Sequence, residues 1–267
     1  MAATETNVVR VNDANLYYET HGAGKPLLLI QGCGGEISSW QAIVPALSQN
    51  FQTIIFDNRG MGRSEVTPGD YTTELLASDA IGLLDYLQIS QAHILGWSMG
   101  GMVAQEIALM RSEIVDKLVL SATAAKFSAK SGFIFQSFLQ AAQQKEFATQ
   151  TNWSLELCFS ERFFSNHEAV AATQKAFASS PYPPTLEGLT GQVAALTAHD
   201  RRGQLKEIGV PTLVIGAVED GFFTVRQLEE LALEITGAEL QILPGAHMYH
   251  VENAANFCET VIEFLAR

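Results

Sequence analysis

The sequence predicts an α/β protein: a mostly parallel, eight-stranded sheet covered by helices on both faces, with a helical lid inserted after the sixth strand. Three observations predict it. Short continuous apolar runs such as "PLLLI" alternate with longer stretches whose apolar residues recur every three to four positions, the pattern of buried parallel strands joined by amphipathic helices. The alternation stops between about Ala125 and Asp200 and then resumes. The chain has 267 residues, 47% hydrophobic and 17% charged, which is long and apolar enough to bury one large core.

The elements follow in order. Residues 6–12 and 14–20 are β-rich and flank the turn signal Asn12-Asp13. They lie too close in sequence for a helical crossover, so an antiparallel hairpin at one sheet edge is expected. "KPLLLIQG" (25–32) is a continuous apolar strand ending at a glycine, and "SSWQAIVPALSQ" (38–49) reads as a helix. "FQTIIFDNRG" (51–60) is another buried strand, followed by a glycine-rich loop. Residues 72–89 form an amphipathic helix, 92–97 a strand, 100–111 a helix and 116–123 the sixth strand. The insert then brings helix-like stretches rich in aromatics: Phe127, Phe133, Phe135, Phe138, Phe147, Trp153, Phe159, Phe163, Phe164 and Phe177. Its proline-marked loop is 179–185. Residues 210–216 and 238–243 are the last strands, and 224–236 and 251–266 the last helices. The expected organisation is a core of residues 1–124 and 201–267 with a lid of residues 125–200. The lid should cover the carboxyl ends of the strands, where open α/β sheets bind ligands.

Composition narrows the function classes. A formal net charge of −13 disfavours nucleic acid and anionic membranes as partners. Three cysteines, Cys33, Cys158 and Cys258, supply neither a disulfide framework nor a zinc motif. There is no Walker A loop, and "GCGGEI" and "GMG" do not satisfy the dinucleotide fingerprint. No apolar run reaches membrane-spanning length, and "MAATETNVVRVND" lacks the basic-then-apolar order of a signal peptide. The expectation is a soluble cytoplasmic protein that needs no metal or organic cofactor.

One stretch carries the chemistry. "ILGWSMGGMVAQ" (94–105) takes a strand directly into a helix, with Ser98 between Gly96 and Gly100. A bend that tight strains the apex residue and excludes bulk beside it, which explains G-x-S-x-G and lifts the hydroxyl above the sheet. A serine that merely caps a helix is the blander alternative. A nucleophile needs a base and a group to orient it. Of six histidines, His21, His93, His167 and His199 do not follow a late strand. His247 does, delivered by the Pro244-Gly245 loop, and His250 is its rival. The orienting acid should leave the preceding strand. "VPTLVIGAVEDG" offers Glu219 and Asp220, with Asp220 favoured because Gly221 turns it back. The oxyanion donors expected are the backbone N–H groups of Met99 and Cys33. Asp57 and Arg59 are read as loop pins, and Asp79 and Asp85 as a solvated helix face. Most insert aromatics should form the lid's own core. Trp97, Phe133, Phe138 and Phe163 are the candidates for lining a substrate pocket, although Trp97 could instead pack beneath the elbow.

Serine, acid and histidine in this chain order resemble the α/β-hydrolase superfamily, and the resemblance spans nearly the whole chain. "FDNRGMGRSE" resembles the family's D-x-R-G-x-G-x-S stretch, "GWSMGGMVAQEIAL" its nucleophile elbow and "PTLVIGAVEDG" its acid turn. "GAHMYHVENAANF" resembles its histidine-bearing ending, with Glu252 five residues after His247. Gln31-Gly32 stands where most members have His-Gly, and Thr224 and Ala254 replace prolines. The serine argues against the aspartate-dependent dehalogenases and epoxide hydrolases of this fold. The resemblance implies a serine esterase or enol-lactonase-like enzyme acting on a small ester or lactone, and insert aromatics that face the cleft would favour an apolar or aromatic acyl group. The alternatives are a slow-turnover ligand sensor that works through a partner protein, and a C–C bond hydrolase.

Overall fold

The computed structural model describes residues 5–145 and 147–267, with side chains at 7–145 and 151–267, so Phe147 falls outside the described side chains. Eight strands form one sheet: β1 (Glu5–Val11), β2 (Ala14–His21), β3 (Lys25–Ile30), β4 (Phe51–Phe56), β5 (Ala92–Trp97), β6 (Val115–Ser121), β7 (Thr212–Ala217) and β8 (Glu239–Leu243). Their order is β1-β2-β4-β3-β5-β6-β7-β8. Only β2 runs against the rest, pairing antiparallel with both β1 and β4. The hairpin expected at one edge is therefore present, with Asn12 at a φ of 51° in its turn.

The helices are α1 (Val44–Leu47), α2 (Thr73–Tyr86), α3 (Met99–Met110), α4 (Ala129–Gln143), α5 (Phe147–Cys158), α6 (Glu161–Phe164), α7 (His167–Ala178), α8 (Leu186–Ala198), α9 (Val225–Glu234), α10 (Tyr249–Glu252) and α11 (Ala254–Ala266). Strand periodicity divides the core in two. Leu28, Ile30, Ile94 and Val214 face α2, α3 and α9, while Leu27, Leu29, Leu95 and Leu213 face α1 and α11. Both faces of the central strands are thus buried, and that is why β5 and β7 are largely apolar, with His93 in β5 and Thr212 in β7 the polar residues.

Two helices differ from expectation. Residues 38–49 give a 3-10 turn (Ile37–Trp40) and the short α1 instead of one helix. Pro45, near the start of α1, has no N–H to donate to the preceding turn. The last helix begins early, as α10, and breaks at Asn253, whose side chain donates to Pro244 O at 3.0 Å. Thr224 stands where the family has proline, and it starts α9 with a reciprocal capping box to Gln227.

Helices α4 to α8 all fall between β6 and β7. Their base is closed by a β-bridge between Lys126 and Asp200 and by the Arg201 amide donating to Ala125 O at 2.8 Å.

Candidate active site

The strand order reverses around β3 and β4, so the loops after β3 and β5 open side by side at the switch point of the sheet. Ser98 follows β5 directly, with φ 58° and ψ −122°. That left-handed backbone costs a non-glycine residue about 1–3 kcal/mol. The flanking glycines are steric necessities. A Cβ on Gly96 would lie 2.1 Å from Gly100 O, and one on Gly100 would lie 2.0 Å from Ile30 O.

His247 leaves the β8 loop and Asp220 the β7 loop. The His247 imidazole bridges the other two side chains. Its Nδ1–H donates to Asp220 Oδ2 at 2.8 Å, and its Nε2 accepts from Ser98 Oγ at 3.1 Å. The acceptor-only carboxylate assigns this tautomer. Asp220 Oδ1 accepts the amides of Phe222 (2.8 Å) and Phe223 (2.9 Å). All three side chains are buried. Phe222 and Phe223 also put their rings against the imidazole, at centroid distances of 5.0 and 5.7 Å.

The rival residues lie elsewhere. Glu219 accepts the Glu161 amide at the start of α6. His250 is fully buried, and among the described residues neither ring nitrogen has a hydrogen-bond partner. Burial, with the nearby His247 ring adding to it, pushes His250 down to about 3, so it is a neutral ring among Trp40, Trp97, Tyr249 and Phe257.

The loop after β3 is rigidly built. The Gln31 side chain accepts the Gly32 amide at 2.9 Å and donates to Glu36 O at 3.4 Å, bracing the turn across its base where the family has histidine. Asn58 donates to Gln31 O at 2.9 Å. Gln192, buried in α8, accepts the Gly34 amide at 2.9 Å and donates to Arg59 O at 3.1 Å. Among the described residues neither the Cys33 amide nor the Met99 amide has a protein acceptor, which leaves both free to donate to a ligand. Burial pushes the Cys33 thiol up to about 12, so it stays protonated.

The histidine loop hangs on the insert. Glu252 accepts the amides of Ala246 (3.2 Å) and Ser160 (3.1 Å) and the Ser160 hydroxyl, and the Met248 amide donates to Cys158 O at 2.7 Å. Asp57 accepts the amides of Ile37 (2.8 Å) and Arg63 (2.9 Å), as a loop pin should. Asp79 corrects the solvated-face reading. It is buried and takes a two-pronged ion pair from Arg59, with both N–O distances 2.8 Å. Asp85 is exposed and pairs with Arg111.

Of the four aromatic pocket candidates, Phe133 is a correction: it is 75% exposed. Helical phase turns Phe135, two residues on, inward against Phe127, Phe138 and Phe222. Phe138 packs against Phe135 and Trp153, and Phe163 stacks on Phe159 at 4.0 Å, both contacts internal to the insert. Trp97 lies between the His247 and His250 rings, and its Nε1–H donates to His247 O at 3.0 Å. Sequence reasoning missed Gln192, Phe222, Phe223 and Tyr249. The last donates to Ile215 O at 3.1 Å and lies 2.6 Å from Ser121 Oγ. The two phenylalanines were findable, because a turn aspartate bonds amides two and three residues on.

A sheet of this order bearing a strained serine elbow defines a class, and comparison agrees. The chain belongs to the α/β-hydrolase fold family, whose model matches residues 25–254. It is similar to a Stutzerimonas stutzeri protein provisionally named carbamate hydrolase RutD: 30% identity over 258 residues, 94% of this chain and 97% of that protein. It is also 29% identical over 264 residues to 3-oxoadipate enol-lactonase 2 of Acinetobacter baylyi, covering 98% of this chain and 97% of that one. The crystal structure of the enol-lactonase from Burkholderia xenovorans LB400 superposes with a TM-score of 0.90 at 29% identity, covering 98% of this chain and 100% of that one. Among the described residues no His, Cys, Asp or Glu group is arranged to hold a metal ion, and no helix is long and apolar enough to cross a membrane.

Proposed function

We propose that this protein is a serine hydrolase of small carboxylic esters or lactones, working through an acyl-enzyme. The observation that carries the reading is the pair of contacts made by one imidazole, 2.8 Å to Asp220 and 3.1 Å to Ser98. His247 Nε2 takes the Ser98 proton as Oγ attacks the carbonyl carbon. Asp220 holds the tautomer and stabilises the imidazolium that forms. The Cys33 and Met99 amides receive the oxyanion, and each such donor is worth roughly 10²–10³ in kcat. The imidazolium then protonates the leaving alkoxide. Water, activated by the same nitrogen, releases the acid and restores Ser98.

The acyl group is apolar or aromatic in this reading. Met61, Leu139, Leu189 and Val193 form an apolar cluster against Cys33 and Phe135, next to the oxyanion loop. Residues 125–200 act as the lid over that cleft. A cytoplasmic home suits three cysteines that are all free thiols.

The test is Ser98→Ala assayed on p-nitrophenyl butyrate and a small lactone panel, with fluorophosphonate labelling mapped by mass spectrometry. Labelling of the wild type at Ser98, with turnover lost by at least 10³-fold in the folded variant, is expected. Unchanged turnover in Ser98→Ala would defeat the assignment.

A further inference from the structure

Trp97 touches all three parts of the proposed machinery. It is bonded covalently to Ser98 as the last residue of β5. Its indole N–H donates to the backbone oxygen of His247 itself at 3.0 Å, across 150 residues of chain. Its ring packs on the His247 imidazole, with centroids 4.6 Å apart and planes 39° from each other. Its six-membered edge rests on Gly32 of the oxyanion loop, where a Cβ would lie 2.7 Å from the ring. The neutral ring of His250 also packs against the indole, at 4.9 Å.

We propose that Trp97 is a positioning residue that sets the distance between the serine hydroxyl and the histidine base. The inference rests on the reading of Ser98 and His247 as nucleophile and base. Asp220 fixes the direction of the imidazole but binds it from one nitrogen only. Bonds at Ala246 N and Met248 N tie the neighbours of His247 to the insert and to Glu252. The bond to His247 O is the one that ties the base's own backbone to the strand bearing the nucleophile. A buried tryptophan N–H usually finds an acceptor. A purely structural role would accept any carbonyl and leave the chemical step alone. Here the acceptor is the base, and the donor is one residue from the nucleophile.

The test replaces the indole N–H by sulfur at position 97 alone, using 3-benzothienyl-alanine, which keeps the ring's shape and its packing. Trp97→Phe is the second variant. Two rates are read on folded protein with wild-type thermal midpoints within a few degrees: fluorophosphonate labelling of Ser98, and kcat and KM for p-nitrophenyl butyrate. A drop of about fivefold in labelling rate and in kcat, with KM within about twofold, is expected for the sulfur analogue, the equivalent of one neutral hydrogen bond. Trp97→Phe should fall at least as far. Wild-type rates in the sulfur analogue, or a changed KM with unchanged kcat, overturn the proposal while leaving the hydrolase reading intact. A wild-type protein that is not labelled at Ser98 overturns both.

Discussion

His250→Phe should remove most of one proton's worth of acid lability from this fold. The His250 ring is fully buried, both nitrogens are unpartnered, and burial holds the group down at about 3 against an ordinary value of 6.5. The unfolded chain therefore binds a proton between these values that the folded chain refuses. Stability is fully present above pH 6.5 and is lost as pH falls from there towards 3. The loss is about 1.4 kcal/mol per pH unit, and from pH 7.5 to 5.0 it comes to about 2 kcal/mol. That is a sizeable share of a typical 5–15 kcal/mol. Phenylalanine keeps a flat ring among Trp40, Trp97, Tyr249 and Phe257 and has no proton to bind. Deleting two unpaired nitrogens and adding ring volume shift stability by an amount that does not depend on pH, so the slope is the quantity to read. His93, held down to about 4 chiefly by burial, contributes a slope of the same sign in both proteins and cancels. Urea unfolding at pH 7.5, 6.5, 5.5 and 5.0 measures the difference. The curves should diverge by about 2 kcal/mol at the acid end. Parallel curves would refute the buried, neutral assignment.

Two further perturbations address the scaffold of the site. Gln192→Leu strands the Gly34 amide and the Arg59 carbonyl. A loss of roughly 1–3 kcal/mol in urea unfolding is expected, with kcat falling more than KM changes, because the loop bearing the proposed Cys33 donor loses its clamp. Arg59→Met leaves Asp79 as a buried carboxylate without its two-pronged partner. The cost should be about 3–5 kcal/mol, and Asp79→Leu in the same chain should recover much of it. Urea midpoints of the single and double variants decide this.

What was legible in the sequence was what local sterics or strand order imposes. The elbow is readable because a Cβ at Gly96 or Gly100 meets backbone within a few residues of chain or on the next strand. His247 and Asp220 were reachable because parallel strands deliver their loops to one edge, so a polar residue after a late strand has few places to go. The failures have a common origin. Asp79 sits on an amphipathic helix where a carboxylate reads as solvated, and only its buried partner Arg59 reverses that. Phe133 and Phe135 are alike as residues, and the helix phase that exposes one and turns the other inward depends on which side of α4 meets Phe222. Gln192 lies 158 residues from the amide it accepts and 133 from the carbonyl it donates to, and nothing near it in sequence marks it.

The same long-range contacts divide the insert mechanically. Helix α8 is locked to the core. A Cβ on its Gly188 would lie 2.0 Å from Gly60 O, and its Gln192 clamps the loop after β3. At its end His199, buried, lies 3.0 Å from Thr73 Oγ1 and 3.2 Å from Gln105 Oε1, so α8 is sewn onto α2 and α3. The junction of α5 and α6 holds something different. Cys158 O and Ser160 bond the loop that carries His247. One end of the insert therefore holds the loop that bears Cys33, proposed as an oxyanion donor, while another holds the loop that bears His247, the proposed base. A displacement of α5 and α6 that left α8 in place would pull on the loop bearing His247 through Cys158 and Ser160 but not on the loop after β3 through Gln192. The indole of Trp97, bonded to His247 O from the β5 side, opposes that displacement.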